Sequence, residues 1–240
     1  MSDPLRIALV AEGWTDRSVV DAAITNLLGE RSYDLNLLQP EDPSATPPFG
    51  VPRPYGWSGV YRWCREAVDR SNHLGADVLL TAYDLVILHL DADVADSSYR
   101  RAHILNPPNP DDLPCSSQIC PPPNSTTDPL RIVLLQWAGE NHTPERVVLC
   151  TPSKSTEAWV LAALYPLDAS VVGGNLECIK SPANRLQAMP ENGRMVRSGK
   201  KIREEYEIRE QEISASWPQV RDFCSEAERF SIEFLAAVPV

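Results

Sequence analysis

Leu85-Val86-Ile87-Leu88-His89-Leu90-Asp91-Ala92-Asp93 is a short apolar run closed by two acidic residues. Its brevity and β-branched character predict a strand buried on both faces, as in the parallel sheet of an α/β protein. The carboxylates then fall at the C-terminal end of that strand, where open α/β sheets place their ligands. Strand alternation would point Asp91 and Asp93 the same way, about 6.6 Å apart. Like charges that close repel unless a cation sits beside them. A hard divalent ion such as Mg²⁺ answers that need through carboxylate oxygens.

The flanking sequence extends the pattern. Leu5 to Ala11 reads as a first strand running into Glu12-Gly13-Trp14-Thr15-Asp16, with the glycine permitting a tight turn. A helix follows, with Val20, Ala23, Ile24, Leu27 and Leu28 at helical spacing and Thr15 or Asp16 as N-cap. A second helix is expected over 57–71. A third strand, Val147 to Cys150, leads through Ser153-Lys154-Ser155-Thr156-Glu157 into Ala158–Leu164, apolar all round and so a buried helix.

Prolines mark 39–56 and 94–127 as long irregular insertions, and Asp128-Pro129 as the start of another helix. A short helix is expected over Asn184–Met189, and residues 199–216 are charged with helical propensity. The segment 218–237 carries Val220, Phe223, Cys224, Ala227, Phe230 and Phe234 on one stripe. The expected organisation is a mostly parallel α/β domain over 1–170, with a helical C-terminal segment, 171–240, packing on it.

Composition narrows the function. The 240 residues are 43% hydrophobic, enough for a sizeable core, and no apolar run reaches the ~20 residues that cross a bilayer. Met-Ser-Asp-Pro does not read as a secretory signal, so a soluble cytoplasmic protein without membrane contact is expected. Cys64, Cys150 and Cys224 fall on apolar stripes, whereas Cys115 and Cys120 read as free loop thiols. A net charge of −11 argues against coating nucleic acid by general electrostatics. The segment 194–203 departs from that balance, with Arg194, Arg197, Lys200, Lys201 and Arg203 and no acidic residue. It reads either as a solvated face or as a guide for a nucleic-acid backbone.

The order Leu-Val-Ala-Glu12-Gly13-x-x-Asp16, then apolar strand–Asp91-x-Asp93, resembles a TOPRIM domain. It is most similar to the TOPRIM half of OLD-family nucleases and to small stand-alone bacterial TOPRIM-like proteins. Ser155-x-Glu157-Ala158-Trp159 resembles the Glu-x-Trp element of one such group. The similarity spans roughly residues 5–165 in order of elements.

The resemblance implies one or two Mg²⁺ or Mn²⁺ ions and phosphodiester chemistry. It makes Glu12 the general base or a metal ligand, Asp91 and Asp93 the metal-binding pair, and Asp16 the holder of a second metal. Glu157 and Lys154 become further acidic and basic site residues. In such chemistry one metal lowers the pKa of bound water toward ~7, and a second stabilises the leaving oxygen. A lysine beside the scissile phosphate offsets transition-state charge.

The chain has no Walker A motif, and the resemblance implies a separate ATPase partner in an anti-phage defence system. The expected function is therefore a metal-dependent nuclease acting on DNA or RNA, with homo-oligomerisation left open. The alternative is a non-catalytic partner-binding subunit of the same fold. His89 reads as a core histidine or as a group orienting Asp91. Trp14, beside Glu12, is the tryptophan placed to stack on a base.

Overall fold

The computed structural model describes residues 3–41, 55–109, 111–174, 176–190 and 194–239. Most of the first proline-rich insertion, 42–54, lies outside them. Strands β1 (Leu5–Val10), β2 (Tyr33–Gln39), β3 (Leu85–His89) and β4 (Val147–Cys150) form one sheet in the order β2-β1-β3-β4. All three pairings are parallel. The fold is therefore α/β, with helices on both faces of a parallel sheet.

Alternation along the strands divides the core. Leu5, Ile7 and Leu9 of β1, Leu85 and Ile87 of β3, and Val148 and Cys150 of β4 face one layer. That layer holds α1 (Trp14–Leu28), α4 (Glu157–Leu164) and the C-terminal helices α9 (Trp217–Phe223) and α10 (Ser225–Ala237). Ala8, Val10, Val86, Leu88, Val147 and Leu149 face the opposite layer of α2 (Trp57–Ser71) and α3 (Asn124–Trp137). Both faces of β3 are covered, which is why Leu85 to Leu88 are apolar without interruption.

The second layer is aromatic. Trp137 lies 6.0 Å from Trp57 and 5.3 Å from Tyr61, centroid to centroid. Its indole N–H donates to the Tyr99 hydroxyl at 2.8 Å, and that hydroxyl donates to Asn109 at 2.6 Å. These bonds fix part of the 94–127 insertion against α3.

Several expectations need correction. Gly13, not Thr15 or Asp16, is the N-cap of α1, which frees the Asp16 carboxylate for other work. Helix α3 starts at Asn124, and Pro129 lies within its first turns rather than opening it. Phe223 is exposed at the end of α9, whereas Val220, Cys224, Ala227, Phe230 and Phe234 form the buried stripe. Cys120 is not a free thiol: it forms a disulfide with Cys178, while Cys115 is free.

Residues 171–239 lie mainly against the α1/α4 layer. They include α5 (Ala169–Val172, reaching back into the preceding residues), α6 (Pro182–Gln187), α7 (Arg203–Ile208) and α8 (Glu210–Ala215). The span expected to be helical over 199–216 opens instead with a hairpin of β5 (Val196–Arg197) and β6 (Lys200–Lys201). Ser198 and Gly199 both have positive φ, the geometry of a tight two-residue hairpin turn. Glu177 anchors the region further: its carboxylate accepts the Ser225 and Glu226 backbone N–H groups at 2.7 and 3.0 Å at the start of α10.

Trp159 of α4 packs edge-on to Trp217 and stacks with Phe230, with centroids 5.4 and 6.2 Å away. Phe230→Ala is expected to cost about 3–5 kcal/mol, the range for truncating a buried aromatic. Urea unfolding should show one transition shifted to lower urea. A separate early transition would mean that the last helices unfold independently of the sheet.

Candidate metal and catalytic centre

Three adjacent strands end at one edge. Glu12 follows β1, Asp91 and Asp93 follow β3, and Thr156-Glu157 follows β4 and opens α4. Glu12 Oε1 accepts the Asp91 backbone N–H at 2.8 Å, joining the first two ends. The Thr156 N–H donates to Asp91 Oδ1 at 3.2 Å, and its hydroxyl donates to Asp16 Oδ1 at 2.8 Å. Thr156 is the N-cap of α4, yet its side chain makes no capping bond. Its polar groups hold two carboxylates instead.

Alternation explains part of the convergence. His89 and Asp91 share the parity of Leu85 and Ile87, so they point into the α1/α4 layer that carries Asp16 and Glu157. The expected parallel orientation of Asp91 and Asp93 does not hold. The strand ends at His89, and Asp91 caps a short 3₁₀ turn, Ala92–Val94. That turn leaves Asp91 buried and places Asp93 at the exposed rim.

Lys154 is not gathered into the cluster. Its backbone carbonyl accepts the Asp93 N–H at 3.0 Å, but its side chain makes no ion pair among the described residues. The site's lysine is Lys201, from the run expected to guide nucleic acid. Its ammonium lies 2.7 Å from Glu157 Oε1 and 3.5 Å from Asp16 Oδ1. Lys201 pairs across the hairpin with buried Val196 and shares its inward face, while Arg197 and Lys200 are exposed on the other. The Lys201 stem reaches solvent although its ammonium is enclosed by carboxylates.

Arg194 and Arg203 are exposed. The Arg203 guanidinium lies 4.0 Å from the Trp14 ring centroid, covering the ring expected to stack on a base. Tyr206, which the sequence reading did not single out, donates its hydroxyl to Glu157 Oε1 at 2.9 Å. The Ser-Gly dipeptide between Val196-Arg197 and Lys200-Lys201 was the available signal for the hairpin and for Lys201's inward face.

The electrostatics follow from crowding. Burial, then the Asp91, Asp16 and Asp93 charges, holds the Glu12 carboxyl well above the usual range. Burial and Asp16 push Asp91 up to about 6. Enclosure by protein and the Asp91 charge raise Asp93 as well. Burial also disfavours ionised Asp16, but Lys201, His89 and Thr156 outweigh it and hold that carboxyl below the usual range. Burial opposes protonation of Lys201, and Asp16, Glu157 and Asp91 overcome it. Lys201 thus ion-pairs with the Asp16–Glu157 side and acts on Asp93 only through its charge, while Glu12 has no ion pair among the described residues.

His89 is fully buried, with Nε2 at 3.3 Å from Asp91 Oδ1 but without hydrogen-bond alignment. Both ring nitrogens, and Glu157 Oε2, lack hydrogen-bond partners. One ligand atom each from Asp16, His89 and Asp91 lie within 4.8 Å of one another. No family model, curated protein or solved structure matches this chain. Among the described residues no helix is long and apolar enough to cross a membrane.

Asp91 has a stability consequence of definite sign. Its folded-state pKa lies above the unfolded value, so the folded protein binds the extra proton between about pH 4 and 6. Stability is favoured below that window and lost as pH rises through it. The metal-free unfolding free energy should therefore fall between about pH 4 and 7 in urea titrations. Asp91→Asn should flatten that slope and raise stability at about pH 8 by about 1–3 kcal/mol. A variant destabilised at both pH values would refute this account of the crowding.

Proposed function

We propose that the chain is a metal-dependent TOPRIM-type nuclease hydrolysing phosphodiester bonds of DNA or RNA. The observation that carries this reading is the meeting of Glu12, Asp91 and Asp93 at adjacent strand ends, all raised in pKa. Groups so arranged are suited to a divalent cation, and the His89 nitrogens and Glu157 Oε2 beside them, which make no hydrogen bond, fit such a ligand. The Glu12-Gly13 and Asp91-x-Asp93 resemblance supplies the reaction class.

On this reading Glu12, Asp91 and Asp93 hold Mg²⁺ or Mn²⁺, with Asp16 on the inner side. The bound ion supplies Lewis acidity toward a phosphoryl oxygen and lowers the pKa of water. Glu12, raised in pKa and partly solvent-accessible, is placed to accept a proton from the attacking water. Thr156 orients Asp16 and Asp91 through its hydroxyl and backbone N–H. Lys201, held by Glu157 and Asp16, takes the charge-offsetting role expected of Lys154. Exposed Arg197 and Lys200, on the outer face of the same hairpin, contact the nucleic-acid backbone. A defence-effector role beside a separate ATPase rests on the family resemblance.

Cleavage of labelled single- and double-stranded DNA and RNA with Mg²⁺ or Mn²⁺ tests the reading. Activity should vanish with chelator, in Glu12→Gln and in Asp91→Asn. Lys201→Met should lower kcat by about 10²–10³-fold, whereas Lys154→Met should change it by less than about twofold. Activity surviving in both carboxylate variants would overturn the proposal. A larger loss in the Lys154 variant than in the Lys201 variant would overturn the assignment of the lysine.

A further inference from the structure

The oxygen-only site implied by the family resemblance does not include His89 among the metal ligands. We propose that Asp16, His89 and Asp91 form a buried mixed nitrogen–oxygen site for a divalent transition metal, with His89 Nε2 as a direct ligand. The inference rests on the reading above only in taking this sheet edge as a metal centre. It changes the ligand set and the class of metal.

Four observations carry it. First, ligand atoms from the three residues lie within 4.8 Å of one another, and all three side chains are buried. Second, His89 Nδ1 has no partner in the protein and Nε2 meets only the Asp91 carboxylate, out of hydrogen-bond alignment, a costly arrangement for a ring with no exposure. Third, the 3.3 Å between His89 Nε2 and Asp91 Oδ1 lacks hydrogen-bond alignment. It matches the roughly 3.3 Å edge between two ligands placed ~2.0–2.1 Å from a tetrahedral ion. Fourth, both carboxylates are oriented by Thr156, as ligating groups commonly are by hydrogen-bonding neighbours.

The Lys201 ammonium opposes a second cation here, but the carboxylates of Asp16, Glu157, Asp91 and Glu12 outnumber it. Lys201 approaches Asp16 from the Glu157 side at 3.5 Å, opposite in role to His89 and Asp91. Glu12 is tied to the Asp91 backbone and brings a further carboxylate to the group. Imidazole favours cobalt, zinc, iron and nickel, and tolerates manganese, whereas magnesium prefers oxygen. The expected order is therefore Co²⁺ and Zn²⁺ tighter than Mn²⁺, and Mn²⁺ tighter than Mg²⁺.

Pulsed EPR of the full chain loaded with Mn²⁺ provides a direct readout, independent of activity and of any variant. It should show electron-spin-echo modulation from a directly bound imidazole ¹⁴N. His89→Gln, confirmed as folded by its thermal melt, should lose that modulation and bind Co²⁺ about 100-fold more weakly by calorimetry. Removing a mere neighbour of a metal ligand costs about 10–100-fold, so loss of a direct ligand should reach at least the top of that range. Its Mg²⁺ affinity should stay within about threefold of wild type. Metal binding without ¹⁴N modulation in the wild-type protein would overturn His89 as a ligand and leave an oxygen-only metal site standing. Absence of any divalent binding by the folded protein would overturn this site and the nuclease reading together.

Discussion

Mutual repulsion among carboxylates is the constraint around which this molecule is arranged. A parallel sheet brings the C-terminal ends of neighbouring strands to one edge, and here β1, β3 and β4 each deliver acid there. In water such groups would separate. They are held because each strand is locked on both faces by apolar packing, with β3 having every residue buried. The edge is thus a place where core stability opposes local electrostatics, an arrangement characteristic of sites that bind or transform charged ligands.

The C-terminal residues complete that edge. The hairpin carrying Lys201 is pinned by the Gly199 N–H, which donates to Gln187 at 2.7 Å, and by burial of Val196. Tyr206 closes the same side through Glu157. Lys201 and Tyr206 therefore reach the centre from far along the chain, through a two-residue turn whose geometry fixes which lysine faces inward. Lys200 differs from Lys201 in orientation, not in chemical type.

The strongest sequence signals were those whose physics is local. β3, α2, β4 and buried α4 could be read from apolar runs and helical spacing, and Glu12 and Asp91 from their place after strands. β2 escaped notice because an edge strand alternating with Asp34 and Asn36 lacks a continuous apolar run. Asp93 was misplaced because alternation was carried past the strand end at His89 into a 3₁₀ turn. The Cys120–Cys178 pairing spans 58 residues, and no local pattern encodes such a contact. Lys154 took the basic role from the family resemblance, whereas the hairpin brings Lys201 to Glu157 in space.

The centre has two unlike halves, and the asymmetry bears on how a phosphodiester would sit in it. On the Asp16–Glu157 side, Lys201 already supplies a fixed positive charge. On the Glu12–Asp93 side no basic side chain does so among the described residues, and Asp93 opens to solvent. A phosphate approaching through the rim would meet repulsion from Glu12, Asp91 and Asp93 unless a bound cation reversed the local charge. With that cation in place, the edge would carry two positive centres, one exchangeable and one covalently part of the chain. Such an arrangement would make substrate binding depend on metal while retaining one half of the charge stabilisation within the protein itself.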